Sequence, residues 1–187
     1  MTDETTLLAL GLLSNQLADA VENAGRSIVG VNARRRRPSS GIYWRSNLIV
    51  TADHTIQRDE DLSIILPDGQ TIAATIAGRD PGTDIAVLRV ESIDLPTAPI
   101  AQDVPKVGQI ILAIARNPES SISASMGIIS AITEGRRGRR MGQLIRPSLN
   151  LYPGFSGGAL VNAEGQIIGM NTSGERHMPL TIPVATL

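Results

Sequence analysis

Apolar residues at Leu10, Leu13, Leu17, Ala20, Val21 and Ala24 recur every three or four positions, and this spacing predicts a helix over residues 5–24. Gly25 follows as a candidate C-cap. The opposite face carries Asn15, Asp19, Glu22 and Asn23 without Lys or Arg, so the helix is expected to pack on the rest of the protein and not on a membrane surface.

Beyond Gly25 the period shortens. Strands are predicted at Ser27–Val31, Gly41–Trp44, Leu48–Thr51, Leu62–Leu66, Thr71–Ala77 and Ile85–Val90. Pro67-Asp68-Gly69 marks a turn between two of them. A proline-bearing connector, Leu95–Pro99, separates these from a second set: Ile110–Ile114, Ser121–Ser125, Gly127–Ile132, Leu144–Arg146, Ala159–Asn162, Ile167–Asn171 and Leu180–Ile182. Many short strands at this spacing predict an all-β protein built of barrels or sandwiches. The expected organisation is a helix over 1–25, a first barrel over 26–95 and a second over 96–187. The halves look alike in strand count, six against seven, although no internal repeat is visible.

Composition narrows the chemistry. Aromatics are 2% of 187 residues, so the core must be built from Ile, Leu, Val and Ala, which suit pleated sheets. A net charge of -1 provides no overall field for nucleic acid or membrane. The absence of cysteine excludes disulfides and thiol catalysis. Two histidines far apart and no cysteine supply too few ligands for a metal site, and no phosphate-cradling loop with a lysine is present, so no metal or cofactor is expected. Leu7–Leu13 is too short to span a bilayer, and Met1-Thr2-Asp3-Glu4 is acidic where an export signal needs positive charge. The compartment is left open: cytoplasmic on that reading, cell-envelope if a leader has been removed. The arginine runs Arg34–Arg37 and Arg136-Arg137 with Arg139-Arg140 are read as solvated loops between strands; without interleaved aromatics they do not suggest nucleic-acid binding.

Candidate chemistry lies in three segments. In Gly154-Phe155-Ser156-Gly157-Gly158 the first glycine permits a tight turn that aims the N–H groups of Gly154 and Ser156 at one point, where a tetrahedral oxyanion would sit. A glycine-rich structural turn before a strand has the same letters. Ser156 needs a base, and His54, just past an apolar strand, suits that role better than His177 in the loop-like sequence Gly174-Glu175-Arg176-His177. The base needs an orienting carboxylate. Asp84 opens the apolar strand Ile85–Val90, where an unpaired carboxylate is costly; it could equally cap the strand, and Asp53 and Asp80 compete with it.

Taken in order, Leu17–Val31, Asn47–Ile56, Leu66–Val90, Gly127–Ala131, Pro153–Thr172 and Leu180–Pro183 make the chain resemble the protease domain of the HtrA (Deg) family of chymotrypsin-fold serine proteases. The resemblance implies a double six-stranded Greek-key barrel with an N-terminal helix. It implies His54 as general base, Asp84 as its orienter, Ser156 as nucleophile, and Gly154 and Ser156 as oxyanion donors. Implied substrates are extended or unfolded polypeptides, with quality control as a role. Substrate is expected along Leu180, Thr181 and Ile182, and a specificity pocket near Leu151 should favour small aliphatic side chains. Phe155, counted with these among the substrate-binding residues, stands where the family often has Asn, so its ring is expected to alter the local fit. Residues 131–151 correspond to loops that in the family switch the site between active and inactive shapes. The family also implies a trimer through N-terminal aromatic contacts, of which no cluster is evident here, and a following PDZ domain that this sequence does not contain. The competing readings are a catalytically silent protease fold used for binding, and an arginine-loop nucleic-acid binder.

Overall fold

A computed structural model describes residues 2–34, 38–116, 121–137, 140–173 and 178–187. Helix α1 runs Thr2–Gly25. It is followed by β1 (Ile28–Asn32), β2 (Ser39–Arg45), β3 (Leu48–Ala52), β4 (Leu62–Ile65), β5 (Thr71–Asp80) and β6 (Ile85–Arg89). The second set is β7 (Ile110–Arg116), β8 (Ile122–Arg137), β9 (Arg140–Ser148), β10 (Ala159–Asn162), β11 (Ile167–Ser173) and β12 (Pro179–Pro183). Each set closes into an antiparallel barrel. The first has the order β1-β2-β3-β6-β5-β4, and the second repeats that path as β7-β8-β9-β12-β11-β10. The topology is therefore duplicated where the sequence shows no repeat.

Strands such as β3 (LIVTA) and β7 (IILAIAR) lack polar–apolar alternation because both of their faces are buried. Successive side chains point to opposite faces of a strand. Ile49 thus fills the first barrel while Val50 joins the layer between barrels, and Ile111 and Ala113 fill the second while Leu112 and Ile114 face that same layer. The proline connector is bonded to both halves: Ala98 N–H donates to Tyr43 O at 3.2 Å, and Ile167 N–H to Pro99 O at 2.6 Å.

Four expectations are corrected. Only the second half of α1 packs, through Leu17, Ala20, Val21 and Ala24. Leu10 and Leu13 are 58% and 41% exposed, since no described element covers the first turns. Gly25 is not a left-handed cap. It is small because Ile122 packs where a Cβ would point, and the helix end is closed by Arg116, whose buried guanidinium donates to Gly25 O at 2.6 Å and Ile28 O at 2.5 Å. The two strands expected in 121–132 are one long β8, which pairs with both β7 and β9. Arg136, Arg137 and Arg140 lie in the β8–β9 ladder and not in a loop. Arg35–Arg37, Arg139 and His177 are outside the described residues. Among the described residues no helix is long and apolar enough to cross a membrane.

Candidate active site

The site forms where the two barrels meet. His54 sits in a single 3-10 turn, Asp53–Thr55, at the end of β3. The turn is secured from three directions. Thr55 Oγ1 donates to Ala52 O at 2.7 Å, Asp53 N–H donates to Asp84 O at 3.2 Å, and Arg79 of β5 grips Asp53 Oδ1 at 2.6 Å and Ile56 O at 3.2 Å.

Asp84 enters β6 with a left-handed φ of 60°, a conformation that Asp tolerates better than most residues. The preceding turn is closed by Asp80, whose carboxylate accepts Gly82 N–H at 3.0 Å. Asp84 is 5% exposed. Its carboxylate lies 3.0 Å from His54 Nδ1 through each oxygen, accepts His54 N–H at 2.8 Å, and accepts the Thr172 hydroxyl at 2.5 Å. The three competing carboxylates are thus resolved by geometry: Asp53 is taken by Arg79, Asp80 caps its own turn, and Asp84 alone of the three reaches the imidazole. Burial by itself raises the Asp84 pKa, but the hydrogen bonds from the imidazole, from Thr172 and from the His54 N–H outweigh it, and the carboxyl is held below its ordinary value. The pair is graded in exposure, with the carboxylate 7% and the imidazole side chain 39% accessible, so the far edge of the ring can meet a ligand.

Ser156 follows a turn in which Phe155 N–H donates to Tyr152 O at 3.1 Å, with Pro153 and Gly154 at its corners and Gly154 at φ 104°. A proline followed by a left-handed glycine is the pattern of a type II turn. Gly157, at φ 84°, lets the chain press onto the first barrel; a Cβ there would overlap Ser40 O and the Thr51 hydroxyl and sit 3.1 Å from Ala52 N. Ser156 is therefore held beside the end of β3 that carries His54. The N–H groups of Phe155, Gly157 and Gly158 donate to Tyr152 O, Asn171 O and Phe155 O. Those of Gly154 and Ser156, on either side of Phe155, donate to no described residue. The Ser156 hydroxyl likewise makes no hydrogen bond to a described residue; such contacts in unliganded sites often close only on substrate binding.

The residues expected to bind substrate are dispersed. Phe155 is 3% exposed; its ring packs in the second barrel, edge-on to Tyr152 with centroids 6.0 Å apart, and so stays out of the site. Thr181 and Ile182 are buried, and β12 pairs with β11 along its length and with β9 at Thr181, so its central backbone is already engaged. Leu180 is half-buried, and Leu151 lies half-buried against the second core.

Sequence reasoning missed Thr172. It reads as one more β-favouring residue, although a fully buried hydroxyl after the apolar run Ile167–Met170 signals a required partner. Thr172→Val is expected to cost about 1–3 kcal/mol, the price of a buried hydrogen bond to a charged group. Urea unfolding at neutral pH measures it, and a loss below about 0.5 kcal/mol would mean that this bond does not hold Asp84.

A paired barrel with a carboxylate–imidazole pair at its seam defines the class as chymotrypsin-like peptidases. Residues 39–170 match the trypsin-like peptidase domain, and the chain belongs to that family, in its HtrA/Deg branch. It is 33% identical over 181 residues to the serine endoprotease DegS of Escherichia coli K12, covering 91% of this chain and 50% of that protein. It is 36% identical over 156 residues to a probable periplasmic DegP-like serine endoprotease of Chlamydia pneumoniae, covering 77% of this chain and 32% of that one. The crystal structure of the serine endoprotease from Yersinia pestis superposes with a TM-score of 0.77 at 32% identity, over 92% of this chain and 62% of that one. The chain thus spans half or less of the length of these curated relatives.

Proposed function

We propose that this domain is a serine endopeptidase that cleaves extended or unfolded polypeptide segments through an acyl-enzyme. Ser156 Oγ attacks the peptide carbonyl carbon as its proton passes to His54 Nε2. Asp84 holds the opposite ring nitrogen, keeps the imidazole in the reactive tautomer and stabilises the imidazolium that forms. The new oxyanion takes the N–H groups of Gly154 and Ser156. Collapse expels the amine, which leaves with the proton from His54. Water then attacks the acyl carbon, gives a proton to His54, and releases the acid as Ser156 is restored. The observation that carries this reading is the pair of unbonded N–H groups at Gly154 and Ser156, set beside Phe155, Gly157 and Gly158, whose N–H groups are bonded. Each such donor is typically worth 10²–10³ in kcat.

Leu151 and Tyr152 precede the turn, and the stretch Leu149–Tyr152 carries no acid, which favours small aliphatic P1 side chains over Lys or Arg. An apolar pocket separates neighbours by only about 1–3 kcal/mol per methylene, so selectivity should be loose. The test is labelling with a fluorophosphonate probe, joined to cleavage-site profiling on denatured casein. Label on Ser156 with cuts after Val, Ala or Leu is expected. Dominant cutting after arginine would overturn the specificity. An unlabelled Ser156, with or without added peptides, would make the domain a silent protease fold that only binds.

A further inference from the structure

Ser40, on β2 of the first barrel, is fully buried, 114 positions from Gly154 in sequence. A buried hydroxyl must be bonded. Its Oγ accepts the Arg116 N–H at 3.0 Å and has one proton to give. Two carbonyls compete for that proton, Gly154 O at 2.8 Å and Arg116 O at 3.5 Å, and the shorter contact takes it. The Ser40 backbone N–H donates to Ser156 O at 3.0 Å. One residue of the first barrel therefore holds the carbonyls of both residues whose N–H groups are unbonded.

Peptide units are rigid planes, so a bond at either end fixes the direction of both. The plane 154–155 is held at Gly154 O by Ser40 and at Phe155 N–H by Tyr152; the plane 155–156 is held at Phe155 O by Gly158 N–H. The plane 153–154 has no hydrogen bond to a described residue at either end. It is the plane that carries the Gly154 N–H, and glycine can rotate about its φ at little steric cost. The anchored plane on its far side fixes the Gly154 Cα, the pivot from which that N–H is directed.

We infer that the Ser40 hydroxyl is a positioning residue for peptide hydrolysis, fixing the Gly154 N–H toward the developing oxyanion. This rests on the peptidase reading above. Arg116 completes the device: its guanidinium ties it to Gly25 and Ile28, and its backbone N–H turns the Ser40 hydroxyl toward Gly154.

The test compares wild type, Ser40→Ala and Ser40→Cys on a peptide p-nitroanilide with valine at P1, with inhibition by the matching peptide aldehyde, whose hemiacetal oxygen occupies the oxyanion position. Ser40→Ala is expected to lower kcat about tenfold to a hundredfold, with KM within about twofold and aldehyde affinity falling in step with kcat/KM. Ser40→Cys, near in size with a weaker donor, should fall between; it carries the measurement if the alanine variant does not fold. A merely structural serine would lower thermal stability while leaving kcat and aldehyde affinity of the folded protein unchanged, and that result would overturn the inference alone. A wild type with no Ser156-dependent turnover would instead overturn the peptidase reading beneath it.

Discussion

Alanine at Ser156 is expected to lower kcat by about 10⁵–10⁶-fold, with KM changed little, and His54→Ala should fall to a similar floor. The reason lies in how the proposed parts depend on one another. A serine hydroxyl is a weak nucleophile until a base takes its proton, and an imidazole has no role in acyl transfer without a hydroxyl to serve. The geometry prepares this dependence. Asp84 occupies Nδ1 of the ring at 3.0 Å, which leaves the accessible edge of His54 for the nucleophile. The Ser156–His54 double variant should therefore be no slower than either single variant. Residual hydrolysis would come from the two oxyanion N–H groups and substrate binding, about 10³–10⁴ over water. The comparison is made by steady-state hydrolysis of a valine p-nitroanilide peptide by the three variants. Losses that multiplied in the double variant would mean that the two side chains act in separate steps, which would break the mechanism.

The second large effect concerns Asp84. Its carboxylate faces three donors: the His54 N–H, the imidazole and the Thr172 hydroxyl. In Asp84→Asn one oxygen becomes an NH₂ group, so at least one of them must meet a donor. The imidazole then turns or adopts the tautomer that leaves its outer nitrogen protonated and unable to act as a base. A loss in kcat of about 10⁴-fold is expected. Stability should fall as well, by about 1–3 kcal/mol at neutral pH, because a buried donor is left unmatched. The pH dependence has a fixed sign. The folded protein holds this carboxyl below its ordinary value of 3.8, so the stabilisation is fully present above that value and disappears as pH falls through the lower folded value. The stability gap between wild type and Asp84→Asn should thus stay flat from neutral pH down to about 3.8 and close below it. Urea unfolding across that range measures the gap. A gap that widened on acidification would mean that burial, and not hydrogen bonding, dominates at this carboxylate.

Much of the architecture was legible along the chain because local patterns and turn residues suffice for it. Among the described residues twelve strands form in the regions where β-rich runs and turns predicted them, with the split of β8 and the arginine-bearing ends of β8 and β9 misread. The first error has a cause: Gly127 lies inside β8, where a Cβ would overlap Ser148 O, so the glycine marks a close approach to β9 and not a break. The exposed leucines of α1 escaped detection because periodicity reports a face and says nothing of what covers it. The burial of Phe155, Thr181 and Ile182 was not legible for a related reason: proximity in sequence to a reactive group does not say on which side of a strand or turn a side chain lies.

The residues able to do chemistry, and the punctuation that separates strands, were determined by the sequence itself: a serine among glycines, a histidine after an apolar strand, an aspartate before another. Which carboxylate meets the imidazole, which N–H groups stay unbonded, and that Ser40, Arg79, Arg116 and Thr172 support them, was decided only in the folded chain. Hydrogen bonds between residues 23 to 114 positions apart depend on barrel closure and on the packing of one barrel against the other, and no local pattern encodes those distances.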